Sequence, residues 1–240
     1  MTQTLPPKER KNRNTWDRRF RYRVKGWMPG QIGRENRRKY RRLFQHECDA
    51  EFQAALTETA GLVMLDLGGN VGEYAVRMAA SGGPVHSFEP DPWTCAKLQQ
   101  ATANLPNVTV HQAAAGAQDG TTQFYRRKDF EDDPDKHSVA ASTVAGKVNM
   151  DLQTSFDVAQ IDIARFIAEL DTDVGVMKID IEGGEVALLE TLLDSPALQR
   201  VRYVFCETHE TMIPALATRT EALRKRVKSI QTPKFNMDWY

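Results

Sequence analysis

The sequence predicts an α/β fold, a mainly parallel central sheet flanked by helices, and three observations carry that prediction. From residue 61 onward, short apolar runs alternate with stretches of helical periodicity, the pattern of βαβ units. The first run ends in a glycine-rich turn, Asp66-Leu67-Gly68-Gly69-Asn70-Val71-Gly72, where a strand hands over to a helix. The second run ends in an acid, Glu89, 23 residues after Asp66, an offset that brings the carboxyl ends of neighbouring parallel strands together.

Taken in order, residues 1–34 lack apolar periodicity and carry Pro6, Pro7, Pro29, Gly26, Gly30 and Gly33, which predicts an extended or weakly ordered arm. From residue 35 to about 60, Tyr40, Phe44, Cys48, Phe52 and Leu56 recur every four residues, joined by Leu43 and Ala55. One amphipathic helix stopped by Gly61 is expected, its apolar stripe covering whatever follows. The chain thereby divides into an arm with its helix, residues 1–60, and a domain over residues 61–240. Core strands are expected at Val63–Leu67, Val85–Phe88, 108–112, Val174–Ile179 and Val201–Cys206, with helices at 73–80, 92–105 and Glu185–Leu193. Asp91 is the expected cap of the second helix and Pro92 its first turn. Between the third and fourth strands lies an insertion holding two strand-like pieces, 121–126 and 156–161, around a polar loop over 128–150; its stretch 126–143 suits a substrate lid.

A chain of 240 residues with 41% hydrophobic content can bury one sizeable core. No run approaches the roughly 18 apolar residues of a membrane span. Cys48, Cys95 and Cys206 are far apart and suggest neither a disulfide framework nor a zinc site; with no apolar leader segment, a cytoplasmic location is expected. The formal charge of zero hides an asymmetry. Residues 1–45 hold 15 basic and 3 acidic side chains, whereas residues 46–218 hold 11 and 27. The basic arm, 8–42, interleaves Trp16, Phe20, Tyr22 and Trp27 with Arg18, Arg19, Arg21, Arg23 and Lys25. That mixture suits a nucleic acid, an anionic membrane surface, the protein's own acidic body or a second copy in a homo-oligomer, and the sequence leaves these open.

Gly68, Gly69 and Gly72 let a backbone turn and approach a ligand closely. The order D-x-G-x-x-x-G departs from the pyrophosphate fingerprint G-x-G-x-x-G. Asp66 suits a ligand with cationic or hydroxyl groups, and Glu89 can accept hydrogen bonds from both hydroxyls of a ribose. Together they describe S-adenosylmethionine. A second motif, Lys178-Ile179-Asp180-Ile181-Glu182-Gly183-Gly184-Glu185, sets charges at the end of the fourth strand, where they are costly unless paired or used. Lys178 fits either a structural ion pair or the active site.

At this point the chain resembles the FkbM-type family, a branch of the Rossmann-like S-adenosylmethionine-dependent methyltransferases. The resembling stretches are LDLGGNVGEYA (65–75), SFEPDP (87–92), NVTVHQAAAG (107–116), KIDIEGGE (178–185) and FCETHE (205–210). The resemblance implies a Rossmann-like methyltransferase fold and methylation of a hydroxyl on a sugar, glycan or other small metabolite. It implies cofactor contacts from Asp66, Gly68, Gly69, Asn70, Gly72, Glu89, Pro90 and Asp180, with Gln112 and Ala113 on the adenine side in place of the acid many methyltransferases carry there. It makes Lys178, Asp180 and Glu182 active-site candidates. An alcohol acceptor needs a base, and His209, flanked by Glu207 and Glu210, joins Asp180 and Glu182 as a candidate. A Mg²⁺ site from Asp180, Glu182, Glu207 and His209 is conceivable but has no distinctive spacing, so no metal is assigned. RNA or protein methylation with the arm gripping a polyanion, and a non-catalytic binding module using the arm and the basic stretch 224–228, are the competing readings.

Overall fold

The computed structural model describes residues 14–126, 130 and 155–239; the expected lid, apart from Arg126 and Phe130, lies outside them. Strand β1 (Val63–Leu67) is buried at every position, as a strand covered on both faces must be. In chain order there follow β2 (Val85–Phe88), β3 (Val108–His111), β4 (Ala114–Gly116), β5 (Gly120–Phe124), β6 (Phe156–Asp162), β7 (Val174–Ile179), β8 (Val201–Cys206) and β9 (Lys234–Asn236). The main sheet has the order β3-β2-β1-β7-β8-β9, and all of its pairings are parallel. A smaller sheet, β4-β6-β5, occupies the insertion, with β5 antiparallel to β6.

The described helices are α1 (Trp16–Gly26), α2 (Gly30–Arg42), α3 (Gln45–Glu58), α4 (Glu73–Ala79), α5 (Pro92–Thr102), α6 (Ile163–Glu169), α7 (Glu185–Leu193) and α8 (Ala217–Val227). They cover both sheet faces because the strands alternate sides with period two. Val63, Leu65 and Leu67 pack with Leu188, Leu189 and Leu192 of α7 and Leu223 of α8. Met64 and Val176 face the other way, onto Phe52 and Leu56 of α3, Met78 of α4 and Trp239. Asp91 caps α5 as expected, accepting from the Trp93 and Thr94 amides at 2.8 and 3.0 Å.

Two expectations are corrected. The described part of the arm is helical, and its glycines mark close approach: a Cβ at Gly33 would stand 1.7 Å from the Met28 carbonyl oxygen, and one at Gly26 3.1 Å from Arg37 Cγ. Small residues let α1 and α2 pack as a hairpin, and the many arginines are good helix formers. The single helix over 35–60 is two, α2 and α3, broken at Phe44, whose φ of −101° and ψ of 13° are not helical. The four-residue spacing runs through this short break, so periodicity alone does not register it. The stripe on α3 does cover the sheet, as expected, with Phe52 fully buried.

Candidate active site at the switch point

Strand β1 lies between β2 and β7, so the chain winds away from it in both directions. In such a sheet the ligand crevice opens outside the carboxyl ends of the strands flanking this point. Two loops meet there, residues 68–72 after β1 and residues 180–184 after β7. Their closeness depends on Gly68, which sits at φ +87° and whose Cβ would stand 1.8 Å from the Asp180 carbonyl oxygen. The Asp180 amide in turn donates to the Leu67 carbonyl at 2.9 Å.

Beneath the loops, strand register aligns a polar row. Asp66 is paired with Ser87 of β2 and Lys178 of β7, so all three project to one face. Ser87 Oγ donates to Asp66 Oδ2 at 2.8 Å, and Lys178 Nζ lies 3.1 Å from Asp66 Oδ1. Lys178 also donates to the Gly68 carbonyl and stands 4.0 Å from Asp180 Oδ2. Burial acts to lower the Lys178 pKa, but the facing Asp66 and Asp180 carboxylates outweigh it and hold the ammonium above its ordinary value. Asp66 has no exposed surface. Its carboxylate lies beneath the glycine loop, between Lys178 and Ser87.

Glu89 is also buried. Its Oε2 accepts from the Asn70 amide at 2.9 Å and its Oε1 from the Asp91 amide at 3.0 Å. Each oxygen retains a lone-pair site for another donor. Burial pushes its pKa up to about 7. Asn70 holds the left-handed conformation, φ 47°, and its Oδ1 is buried with no hydrogen-bond partner. Gly72, φ 97°, stands at the N-cap of α4.

On the β7 side, Glu182 adopts φ 58°, and the turn carries the chain back so that Glu185 accepts from the Ile181 amide at 3.0 Å and the Gly183 amide at 2.9 Å. The same carboxylate meets His209 Nδ1 at 2.9 Å. His209 Nε2 faces Glu182 Oε2 at 3.1 Å and Asp180 Oδ1 at 3.7 Å. Both ring nitrogens therefore face carboxylates, the arrangement of an imidazolium donating twice. Burial acts to lower the His209 pKa, but Glu185 and Glu182 raise it well above its ordinary value. Burial raises Asp180, and Asp180 Oδ1 is buried with no hydrogen-bond partner. Asp180, Glu182 and His209 offer ligand atoms within 4.8 Å of one another, the one such group among the described residues. A ring nitrogen with two carboxylates departs from the all-oxygen shell that Mg²⁺ takes. Glu185 is the residue that the sequence reading left out, although it closes the KIDIEGGE motif.

Other expected residues lie around this centre. Pro90 is half-buried beside Glu89, while Gln112 is exposed and Ala113 buried just past β3. Arg126, where the insertion leaves the described residues, pairs with Asp91 at 2.6 Å. Glu207 is pushed up to about 7 by burial. From α2, Arg41 meets Glu210 at 3.0 Å and the Thr208 hydroxyl at 3.3 Å, so the basic hairpin borders the loop that carries His209.

The parallel sheet order and the glycine turn that closes β1 define a Rossmann-like α/β domain. Residues 66–229 match the family model described as the methyltransferase FkbM domain. The chain belongs to that family. Among solved structures it is similar to methyltransferase FkbM from Methylobacillus flagellatus KT, with 17% identity and a TM-score of 0.41, covering 69% of this chain and 37% of that one. The chain thus spans little more than a third of that relative's length. No curated protein matches it.

Proposed function

We propose that the protein is an S-adenosylmethionine-dependent O-methyltransferase acting on a hydroxyl of a sugar, glycan or other small metabolite. The observation that carries the reading is Glu89, a buried carboxylate at the carboxyl end of β2 whose two oxygens each keep room for a donor. A vicinal ribose diol supplies two such donors. The site also fits the cofactor in an unsatisfied atom: Asn70 Oδ1 is buried without a hydrogen-bond partner in the glycine loop beside Glu89. When bound, S-adenosylmethionine supplies a methyl group on a sulfonium, open to in-line displacement by an oxygen nucleophile.

The residues then divide the work. Asp66 and Lys178 fix the glycine loop from below, and Glu89 with Asn70 holds the ribose. Asp180 receives the acceptor's hydroxyl proton as the oxygen attacks: it is the carboxylate with a free oxygen, and burial raises its affinity for a proton. His209 is a positioning residue. Its two nitrogens are engaged by Glu185 and Glu182, which leaves no lone pair to take a proton and sets a positive charge beside Asp180.

Calorimetric titration of S-adenosylmethionine, S-adenosylhomocysteine and NAD into the protein tests the cofactor, with Glu89→Ala as control. Binding of the first two, lost in Glu89→Ala, is expected; NAD binding without them sinks the proposal. A panel of hydroxylated sugars, read by release of S-adenosylhomocysteine, tests the acceptor. Asp180→Asn is expected to keep cofactor binding and lose about 100-fold or more in turnover, the usual scale for a general base.

A further inference from the structure

Trp16, Phe20, Val24, Trp27, Met28 and Ile32 are six of the eight large hydrophobic residues that are exposed among the described residues. A soluble surface scatters such residues singly, whereas a contiguous set marks an interaction site. Positions 16, 20, 24 and 27 follow the four-four-three spacing of one helical face. Trp27 is 84% and Trp16 78% exposed, so this face is not the one on which α1 packs; that role falls to buried Gly26 and half-buried Tyr22. Met28 and Ile32, also exposed, follow in the turn and at the start of α2. Around it α1 carries Arg18, Arg19, Arg21, Arg23 and Lys25 against one acid, Asp17.

We infer that α1 is an interfacial helix that docks the protein on an anionic lipid bilayer. An aromatic and aliphatic face bordered by arginines is the composition that lies in the headgroup region, rings and alkyl chains inward and cations among the phosphates. Two alternatives fit the side chains less well. Bases stack on π faces, but Val24, Met28 and Ile32 have none, and Trp16 and Phe20 are stacked on each other at 5.6 Å and 11°. A second copy would bring two identical sets of α1 cations together across a two-fold contact. The inference stands apart from the methyltransferase reading, since it uses no residue of the switch-point loops.

The test is co-flotation of the full-length protein with vesicles of phosphatidylcholine alone, or of phosphatidylcholine with phosphatidylserine, at low and high salt. Binding to the mixed vesicles is expected, at least about tenfold weaker on neutral ones and weakened by salt, with a blue shift of tryptophan emission. Trp16→Ser combined with Phe20→Ser and Trp27→Ser is expected to lose at least about tenfold in vesicle affinity with an unchanged circular dichroism spectrum and thermal midpoint, because all three side chains are exposed. Arg18→Gln with Arg21→Gln and Arg23→Gln is expected to remove the preference for phosphatidylserine. Failure to bind mixed vesicles overturns the inference, as does binding that survives the triple serine change. A single-stranded RNA oligonucleotide or a homodimer lost through that change, with no vesicle binding, equally overturns it.

Discussion

Glu89 combines two demands that conflict. Burial favours its neutral form and carries its pKa to about 7, whereas a carboxylate that accepts from two backbone amides and, in the proposed function, from a ribose diol is best ionised. The folded state therefore binds a proton more readily than the unfolded chain does. This contribution to stability is full below the ordinary value of 4.5 and is lost as pH rises through about 7. Ligand affinity runs the other way, so S-adenosylhomocysteine is expected to bind about tenfold more weakly at pH 6 than at pH 8, with Glu89→Gln flattening the profile. A wild-type profile without slope would separate Glu89 from the ligand. Lys178 offers a second test at this scale. Lys178→Met leaves Asp66 buried and unpaired and is expected to cost about 3–5 kcal/mol in urea denaturation, much of it recovered by adding Asp66→Asn. Both residues are legible in the sequence as charges at strand ends; their partnership is not, because it depends on the β1–β7 register. Glu185 was hidden for a similar reason, since only the left-handed turn at Glu182 brings it back toward His209.

Elements were legible in proportion to the periodicity they carry. The strands β1, β2, β7 and β8 are short apolar runs bounded by turn residues, and the sequence marks them to the residue. Strands β4 and β9 have three residues each, too few to show alternation, and α6 has seven, so neither period asserts itself. The glycines of the hairpin misled because the same residue signals looseness in a loop and close packing between helices. At the glycine turn the two uses can be separated experimentally. Gly61 and Gly68 both have positive φ, but a Cβ at Gly61 meets nothing within 4 Å, whereas one at Gly68 meets the Asp180 carbonyl. Gly61→Ala is therefore expected to cost about 1–2 kcal/mol, the penalty of the left-handed region. Gly68→Ala is expected to cost more than about 3 kcal/mol and to abolish cofactor binding, because the two switch-point loops must part. Equal losses by chemical denaturation would show that the contact between the loops carries no weight.

Across the whole molecule, the zero net charge resolves into a basic helical hairpin and a more acidic remainder. Phe52 and Leu56 of α3 lie in one apolar cluster with Met64, Val176, Phe205 and Trp239, so α3 is part of the sheet's cover. The hairpin α1–α2 reaches the body through Arg41 with Glu210 and Thr208 and Asn14 with Glu47, and through Tyr40 and Arg19, which lie against the Phe44 ring. We propose a boundary near residue 44, which truncation tests against one at residue 60. We expect a chain beginning at Phe44 to fold cooperatively and to bind S-adenosylhomocysteine within about twofold of the full protein, since it keeps the apolar cluster that α3 shares with the sheet. A chain beginning at Gly61 strips the apolar cover from one face of the sheet and is expected to aggregate or to unfold at far lower denaturant. If the Phe44 chain also loses its fold, the hairpin is part of the domain and its charge is structural; if the Gly61 chain stays soluble and binds ligand, α3 is dispensable and the boundary belongs at 60.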